Sequence, residues 1–301
     1  MDRNKPAIGV VGLGNAGLSL AVPLMHAFGV MGYDRDASQC DRARQAGLRI
    51  AATAAELAAR CDIVLLSLPT PAASLAAASE LAQGGLAGRL IIETSTVSPH
   101  DVAELCALAA QHGATVVDAA IVGGVHKLQQ GRATFLVGAS AGDYARAKPV
   151  LEAAAEEIFH LGEAGSGMRA KLVNNAVAHT TMVMLLEGAA LAVKAGVPIE
   201  VYYTLMERES GLLRPLTHRF GERIRQQNFE GGMPTANARK DSMLALDLAR
   251  ELGVPLFTMQ ASHTVYEIAH GQGLDRLDYA AISKLWENWL DIGFDRGWNE
   301  Q

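Results

Sequence analysis

"AIGVVGLGNAG", residues 7–17, runs a short β-branched apolar stretch directly into three glycines, Gly12, Gly14 and Gly17. The stretch predicts a buried strand and the residues after it a helix, so the G-x-G-x-x-G spacing falls on a strand-to-helix turn. A set of structural turn glycines would also give this spacing. In a strand–turn–helix setting, however, each glycine has a separate task. Gly12 makes the tight turn, Gly14 lets the backbone approach a pyrophosphate, and Gly17 lets the helix pack close to the strand. Free N–H groups at the helix start suit phosphate, which brings Leu13, Asn15 and Ala16 into the same candidate cradle.

Reading outward, a helix over 16–27 leads to "GVMGYD" (29–34), the second strand, which ends on Asp34. That carboxylate lies twenty positions beyond Gly14, where it would accept hydrogen bonds from an adenosine 2′-hydroxyl and repel a 2′-phosphate. NAD is therefore expected over NADP, although Arg35 next door is compatible with the phosphate. "LRIAA" reads as a weak third strand, and Thr53 as the N-cap of a helix through Ala59. Further strands are expected at 62–69, 89–96, 115–122, 133–139 and 157–162. Continuous apolar strands alternating with helices predict a mostly parallel sheet covered on both faces, a Rossmann-like α/β domain.

Three loops would then hold the rest of a dinucleotide: "SLPTP" (67–71), "ETSTVSP" (93–99) and "DAAIVGG" (118–124). Leu68 and Pro69 come from the first. Thr96, in the second, either reaches a nicotinamide or caps the helix that follows Pro99. In the third, Gly123 and Gly124 form either a small anion nest of successive amides or a flexible turn.

From Ser166 on, no strand-like run survives and apolar residues recur at helical spacing. The expected division is an α/β domain over 1–163 and an all-helical domain over 164–301 that opens with a long helix. That helix begins "GMRAKLVNNAVAHT" (167–180), with Lys171, Asn174 and Asn175 on one face. The face is either a solvated stripe or a working one. Its position at a domain boundary, a favoured place for ligands, favours the second reading. The apolar stretch over 176–197, broken by His179, Glu187 and Lys194, is expected to be a buried helix rather than a membrane span.

Bulk properties narrow the classes further. The 301 residues carry a net charge of −6 with scattered basic residues, which gives no footprint for nucleic acid or an anionic membrane. Cys40, Cys61 and Cys106 are odd in number and dispersed, offering neither a zinc pattern nor a disulfide framework. No metal site is expected. The N-terminus lacks a signal core or transit helix, and a cytoplasmic location is expected.

These pieces resemble the β-hydroxyacid dehydrogenase family, which includes 3-hydroxyisobutyrate, tartronate-semialdehyde and 6-phosphogluconate enzymes. The matching segments are "GLGNAG", "ETSTVSP", the D-A-x-x-x-G-G pattern at 118–124, "GSGMRAKLVNN" (165–175) and "KDSMLALDLARELGVPLF" (240–257). They keep the family's order over nearly the whole chain. The resemblance implies an NAD(P)-dependent oxidoreductase acting on the hydroxyl of a small carboxylate-bearing alcohol, or on the matching aldehyde, and a homodimer or homotetramer. It implies Lys171 as catalytic acid/base and Asn175 as the residue orienting substrate, with Asn174 steadying the lysine or the helix. It also implies Gly123 and Gly124 as the carboxylate anchor and Lys240 as a cofactor contact. The chain departs from the pattern at Val122, where the family has a serine, and at His179, where an apolar residue is expected. Both positions are counted with the substrate-binding set. An imine or aldehyde reductase on the same scaffold is the alternative, although imine reductases generally lack the lysine.

Overall fold

The apolar run after Ala7 forms β1 (Ile8–Val11), buried at every position, and the residues beyond the glycine turn form α1 (Asn15–Ala27). These elements belong to a computed structural model that describes residues 5–208 and 212–298. By compactness the chain divides into Met1–Ala176 and Val177–Gln301.

The first unit continues with β2 (Val30–Tyr33), α2 (Ala37–Gln45), β3 (Arg49–Ile50), α3 (Ala54–Arg60), β4 (Ile63–Leu66) and α4 (Pro71–Ala82). Then follow β5 (Leu90–Glu93), α5 (Pro99–Gln111), β6 (Thr115–Val122), α6 (Gly124–Gln129), β7 (Ala133–Gly138), α7 (Ala141–Glu152) and β8 (Ala155–His160). The eight strands form one sheet in the order β3-β2-β1-β4-β5-β6-β7-β8. All neighbours are parallel except β6 and β7, which are antiparallel. β1 pairs with β2 on one side and β4 on the other, so the strand order reverses at the carboxyl ends of β1 and β4. In doubly wound sheets that reversal opens a crevice for ligands.

Each face of the sheet has its own core. Leu20 and Leu24 of α1 and Val150 of α7 pack with Ile8, Leu65 and Phe135 on one side. Leu57 of α3, Leu81 of α4 and Leu105 of α5 pack with Val11, Val64 and Ile91 on the other. Full burial of one such side chain contributes about 1.5–3 kcal/mol. Local signals set the helix starts: the Thr53 hydroxyl accepts from Glu56 N at 3.0 Å and opens α3. At α5, Ser98 and Asp101 exchange hydrogen bonds in a capping box, with Pro99 in the first turn.

α8 (Ser166–Lys194) begins in the first unit and runs on into the second. The second unit adds α9 (Ile199–Glu207), a π-helical segment (Pro215–Ile224), α10 (Thr235–Leu252), α11 (Phe257–Gly271), a 3₁₀ turn (Tyr279–Ile282) and α12 (Ser283–Leu290). Its polar centre is Asp278, fully buried, which accepts from Met233 N and Ala280 N and pairs with Arg219 at 3.3 Å. Its apolar core is small, built on Ile224, Phe229, Ala280 and Ala281.

The expectation that 176–197 is buried does not hold in the single chain. Val177, Met182 and Leu186 are 65%, 55% and 57% exposed. The cause lies in the pattern: apolar residues surround this helix instead of forming one stripe, so no single neighbour covers them. By length and composition alone α8 could cross a membrane, with a mean hydropathy of 1.6. Its middle nevertheless carries Glu187, which accepts from Phe257 N, Thr258 N and Thr258 Oγ1 at the start of α11.

Candidate active site

A cavity of about 700 Å³ opens at the carboxyl ends of β1 and β4, where the strand order reverses. Gly12, Gly14, Asn15, Ala16 and Gly17 form one wall. Gly12 has φ +88°, and a Cβ there would collide with the Ser67 carbonyl oxygen. A Cβ on Gly17 would strike the Gly12 carbonyl. Gly14 differs, because nothing in the protein lies within 4 Å of where its Cβ would stand. The open side of Gly14 therefore faces the cavity, and α1 has no side-chain cap to occupy its first N–H groups. These features fit a pyrophosphate at the helix start.

Asp34 and Arg35 line the next stretch of wall. Asp34 Oδ2 accepts from Leu13 N at 2.7 Å, and Oδ1 accepts from Asp36 N at 2.9 Å. Each oxygen keeps a lone pair for a further donor such as a ribose hydroxyl. Leu13 itself is fully buried and takes part through this backbone N–H. Arg35 pairs with Glu80 of α4 at 2.5 Å, and both line the cavity. The pair is exposed, so it adds little stability and mainly directs the guanidinium.

The remaining wall is built from the loops after β4 and β5 and from the start of α8. Leu68, Pro69 and Thr96 all belong to it. The two readings of Thr96 are now separated: Ser98 caps α5, and Thr96 stands exposed at the cavity. Ser95 Oγ accepts from Leu68 N at 2.8 Å and ties the two loops together. Lys171 reaches the same cavity, half-buried. Burial lowers the pKa of its ammonium, with no neighbouring charge contributing. Its helix starts on Asp118, which is buried at the end of the sheet and accepts from Gly165 N and Met168 N.

Part of the wall is apolar: Ile121, Gly124, Val125 and Leu128. Val122 and Gly123 do not line the cavity; alternation along β6 puts Val122 on the face opposite Ile121. Gly123 and Gly124 both have left-handed backbones, φ +112° and +76°. Asn174 is exposed and Asn175 half-buried one turn beyond Lys171; their side chains are 3.5 Å apart and neither lines the cavity. His179 and Lys240 belong to the second unit, both exposed, and Lys240 pairs with Asp241 at 2.9 Å. Among the described residues no cluster of three or more His, Cys, Asp or Glu side chains could hold a metal ion.

Sequence reasoning passed over Glu80, Val125 and Leu128, and gave no role to Glu93 or to the capping by Asp118. Glu93 carried a signal, an acid closing the apolar run "LIIE". Glu80 carried none, since it meets Arg35 only once α4 packs beside β2.

The profile of the NAD binding domain of 6-phosphogluconate dehydrogenase matches residues 7–162, and that of the NAD-binding domain of NADP-dependent 3-hydroxyisobutyrate dehydrogenase matches 165–286. The chain belongs to the β-hydroxyacid dehydrogenase family. Within this family, it is 30% identical over 297 residues to 2-(hydroxymethyl)glutarate dehydrogenase of Eubacterium barkeri, covering 96% of this chain and 98% of the relative. A 3-hydroxyisobutyrate dehydrogenase from Mycobacterium tuberculosis, solved with L-serine, is 27% identical with a TM-score of 0.64, covering 93% of this chain and 99% of that one. The β-hydroxyacid dehydrogenase architecture also extends to an imine reductase from Pseudomonas sp., with a TM-score of 0.85 at 23% identity, over 94% of this chain and 100% of that one. At that identity the likeness is one of fold.

Proposed function

We propose that this chain is an NAD-preferring dehydrogenase that oxidises the hydroxyl of a β-hydroxy acid, or reduces the matching semialdehyde or keto acid. The observation that carries the reading is Lys171, an amine whose pKa is lowered by burial, placed in the wall of the cavity that the glycine turn and Asp34 also line. The nicotinamide cofactor would supply hydride acceptance or donation there. The residues around the glycine turn would hold its phosphates and Asp34 its ribose.

The chain's own task in oxidation is to remove the hydroxyl proton. Lys171 Nζ in its neutral form accepts that proton, and in the reverse direction its ammonium returns it. Desolvation favours the neutral form, so the amine is available as a base at lower pH than an exposed lysine. Asn175, one turn on, would donate an amide N–H to the oxygen on which charge develops. The Gly123 and Gly124 amides would hold the substrate carboxylate. The apolar wall of Ile121 and Val125 favours a substrate with apolar bulk. The Eubacterium barkeri relative is named for a dicarboxylate larger than 3-hydroxyisobutyrate, which supports a site able to take a substrate above that size.

The imine reductase reading draws on the shared architecture, while Lys171 favours the dehydrogenase. A panel of β-hydroxy acids with NAD and NADP, run beside a cyclic imine with NADH and NADPH, separates the two. Imine reduction without alcohol oxidation would overturn the proposal.

A homo-oligomer is part of the proposal, with a second copy covering α8. The exposed Val177, Met182 and Leu186 and the small core of the second unit support it. Residence in the cytosol is proposed on the free Cys40, Cys61 and Cys106, which suit a reducing compartment.

A further inference from the structure

Glu93 closes β5 with a side chain that is completely buried. Its Oε1 accepts from Ser95 N at 2.8 Å. Its Oε2 lies beside the buried Ser74 hydroxyl of α4 but forms no well-shaped hydrogen bond, and Ser74 Oγ has no other partner. Among the described residues no basic side chain pairs with Glu93. The charged neighbour is Asp118, its register partner on β6, whose own oxygens are taken by Gly165 N and Met168 N. An ionised carboxylate here would be desolvated and next to a like charge, which is costly. A neutral carboxylic acid has one O–H to donate, and the adjacent Ser74 hydroxyl, which can donate or accept, can receive it on its oxygen.

We infer that Glu93 is a positioning residue that works as a neutral acid, tying α4 and the 94–96 turn into one wall of the nicotinamide end of the cavity. The chain of contacts runs from Ser74 through Glu93 to Ser95 N, and from Ser95 Oγ to Leu68 N at 2.8 Å. Leu68, Ser95 and Thr96 all line the cavity, although Glu93 does not. Burial pushes the Glu93 carboxyl up, with the Asp118 charge acting in the same direction, against the nearby Ser74 hydroxyl and the hydrogen bond from Ser95 N. The inference rests on the cavity binding a nicotinamide dinucleotide, which is measured separately in the test.

NADH and NADPH are titrated by fluorescence into wild type, Glu93→Gln, Glu93→Leu and Ser74→Ala, with thermal unfolding as a check on folding. Glu93→Gln keeps the donor and acceptor of a neutral acid, and its Kd should stay within about twofold of wild type. Glu93→Leu should weaken binding by about tenfold while unfolding cooperatively, because the 94–96 turn loses its anchor. Infrared spectra at neutral pH should show a carboxylic-acid C=O band that disappears in Glu93→Gln and shifts in Ser74→Ala. The band and the glutamine variant decide the matter even if Glu93→Leu does not fold. The inference is overturned if Glu93→Gln binds as poorly as Glu93→Leu, if the leucine variant binds like wild type, or if wild type lacks the acid band. A wild type that binds neither dinucleotide would overturn the reading of the cavity instead, leaving the band to report on Glu93.

Discussion

Asp118 holds the backbone of Met168: its Oδ2 accepts that N–H at 2.8 Å, while Oδ1 accepts the N–H of Gly165 at 2.6 Å. α8 therefore starts from a fixed point on β6, and Lys171 follows one turn later. The fit leaves no slack, since a Cβ on Gly138 would strike Asp118 Oδ1 and one on Gly167 would lie 2.9 Å from Oδ2. Asp118→Asn turns one acceptor into a donor facing an N–H. The variant should lose about 1.5–3 kcal/mol of stability by urea unfolding. Its kcat should fall while NADH affinity changes little, because Asp118 anchors α8 and makes no contact with the glycine turn. Unchanged kcat in a folded variant would show that Lys171 does not depend on this anchor.

Lys171→Met should separate stability from activity. Burial lowers the pKa of this amine in the native state below its unfolded value. Between those two values the unfolded chain binds a proton that the native chain does not, so stability rises with pH across that window. Below the window the native protein carries a desolvated charge, and methionine relieves it. The variant should melt higher than wild type at neutral pH, while kcat falls by about 10²–10⁴. Wild-type oxidation should rise with pH as the amine becomes neutral, and reduction should rise as pH falls. Both dependences should vanish in the variant, and a near-normal kcat there would remove Lys171 from the mechanism.

Cofactor choice should follow Asp34. A 2′-phosphate beside this carboxylate meets like-charge repulsion of about 1–3 kcal/mol, or roughly ten- to a hundredfold in kcat/KM. Asp34→Ser should narrow that ratio, mostly through loss of NAD efficiency. A wild type that favours NADP would give the choice to Arg35, already directed by Glu80.

Substrate ranking should respond to Val125 and not to Val122. Val125 lines the same cavity as Lys171, and Val122 does not. Apolar contact is worth about 25 cal/mol per Å² buried. Val125→Ser should therefore lower kcat/KM for longer or aryl-bearing β-hydroxy acids relative to 3-hydroxyisobutyrate, while Val122→Ser keeps the ranking of wild type. The reverse pattern would return Val122 to the substrate site.

A charge on α8 should break the assembly. Leu186 is 57% exposed in the single chain, and Leu186→Glu would bury a carboxylate in an interface between copies. Sedimentation should show an oligomer for wild type and a smaller species for the variant. A monomeric wild type, or one that pellets with lipid vesicles, would discard the second copy as the partner of this helix.

The dinucleotide end was legible because its signals are local. A strand, a glycine turn and an acid at the next strand end are all read within residues 7–34. The substrate end was less legible for a physical reason. Residues 116–122 of β6 form a nearly unbroken apolar run, since the sheet is covered on both faces, and such a run does not say which alternate residues face a ligand. Only the folded structure puts Ile121 in the cavity wall and Val122 on the opposite face. Thr96 was ambiguous because Ser98, two residues on, is an equally good cap, although Asp101 three residues later already marked the box. The exposure of α8 was not readable at all, because what covers a helix that is apolar all round need not lie in the same chain.

The hydrogen bond from Leu13 N to Asp34 constrains the routes open to descendants of this protein. One carboxylate both lines the cavity and latches the glycine turn, so on the proposed reading its loss should change selectivity and loosen the phosphate cradle together. A lineage drifting toward NADP would first need another acceptor for that N–H, and Arg42, which already donates to the Leu13 carbonyl, cannot provide one. The order of substitutions is therefore restricted: a new latch must precede the loss of the acid. Laboratory selections for NADP use should recover second-site changes around Leu13 before, or alongside, any at Asp34.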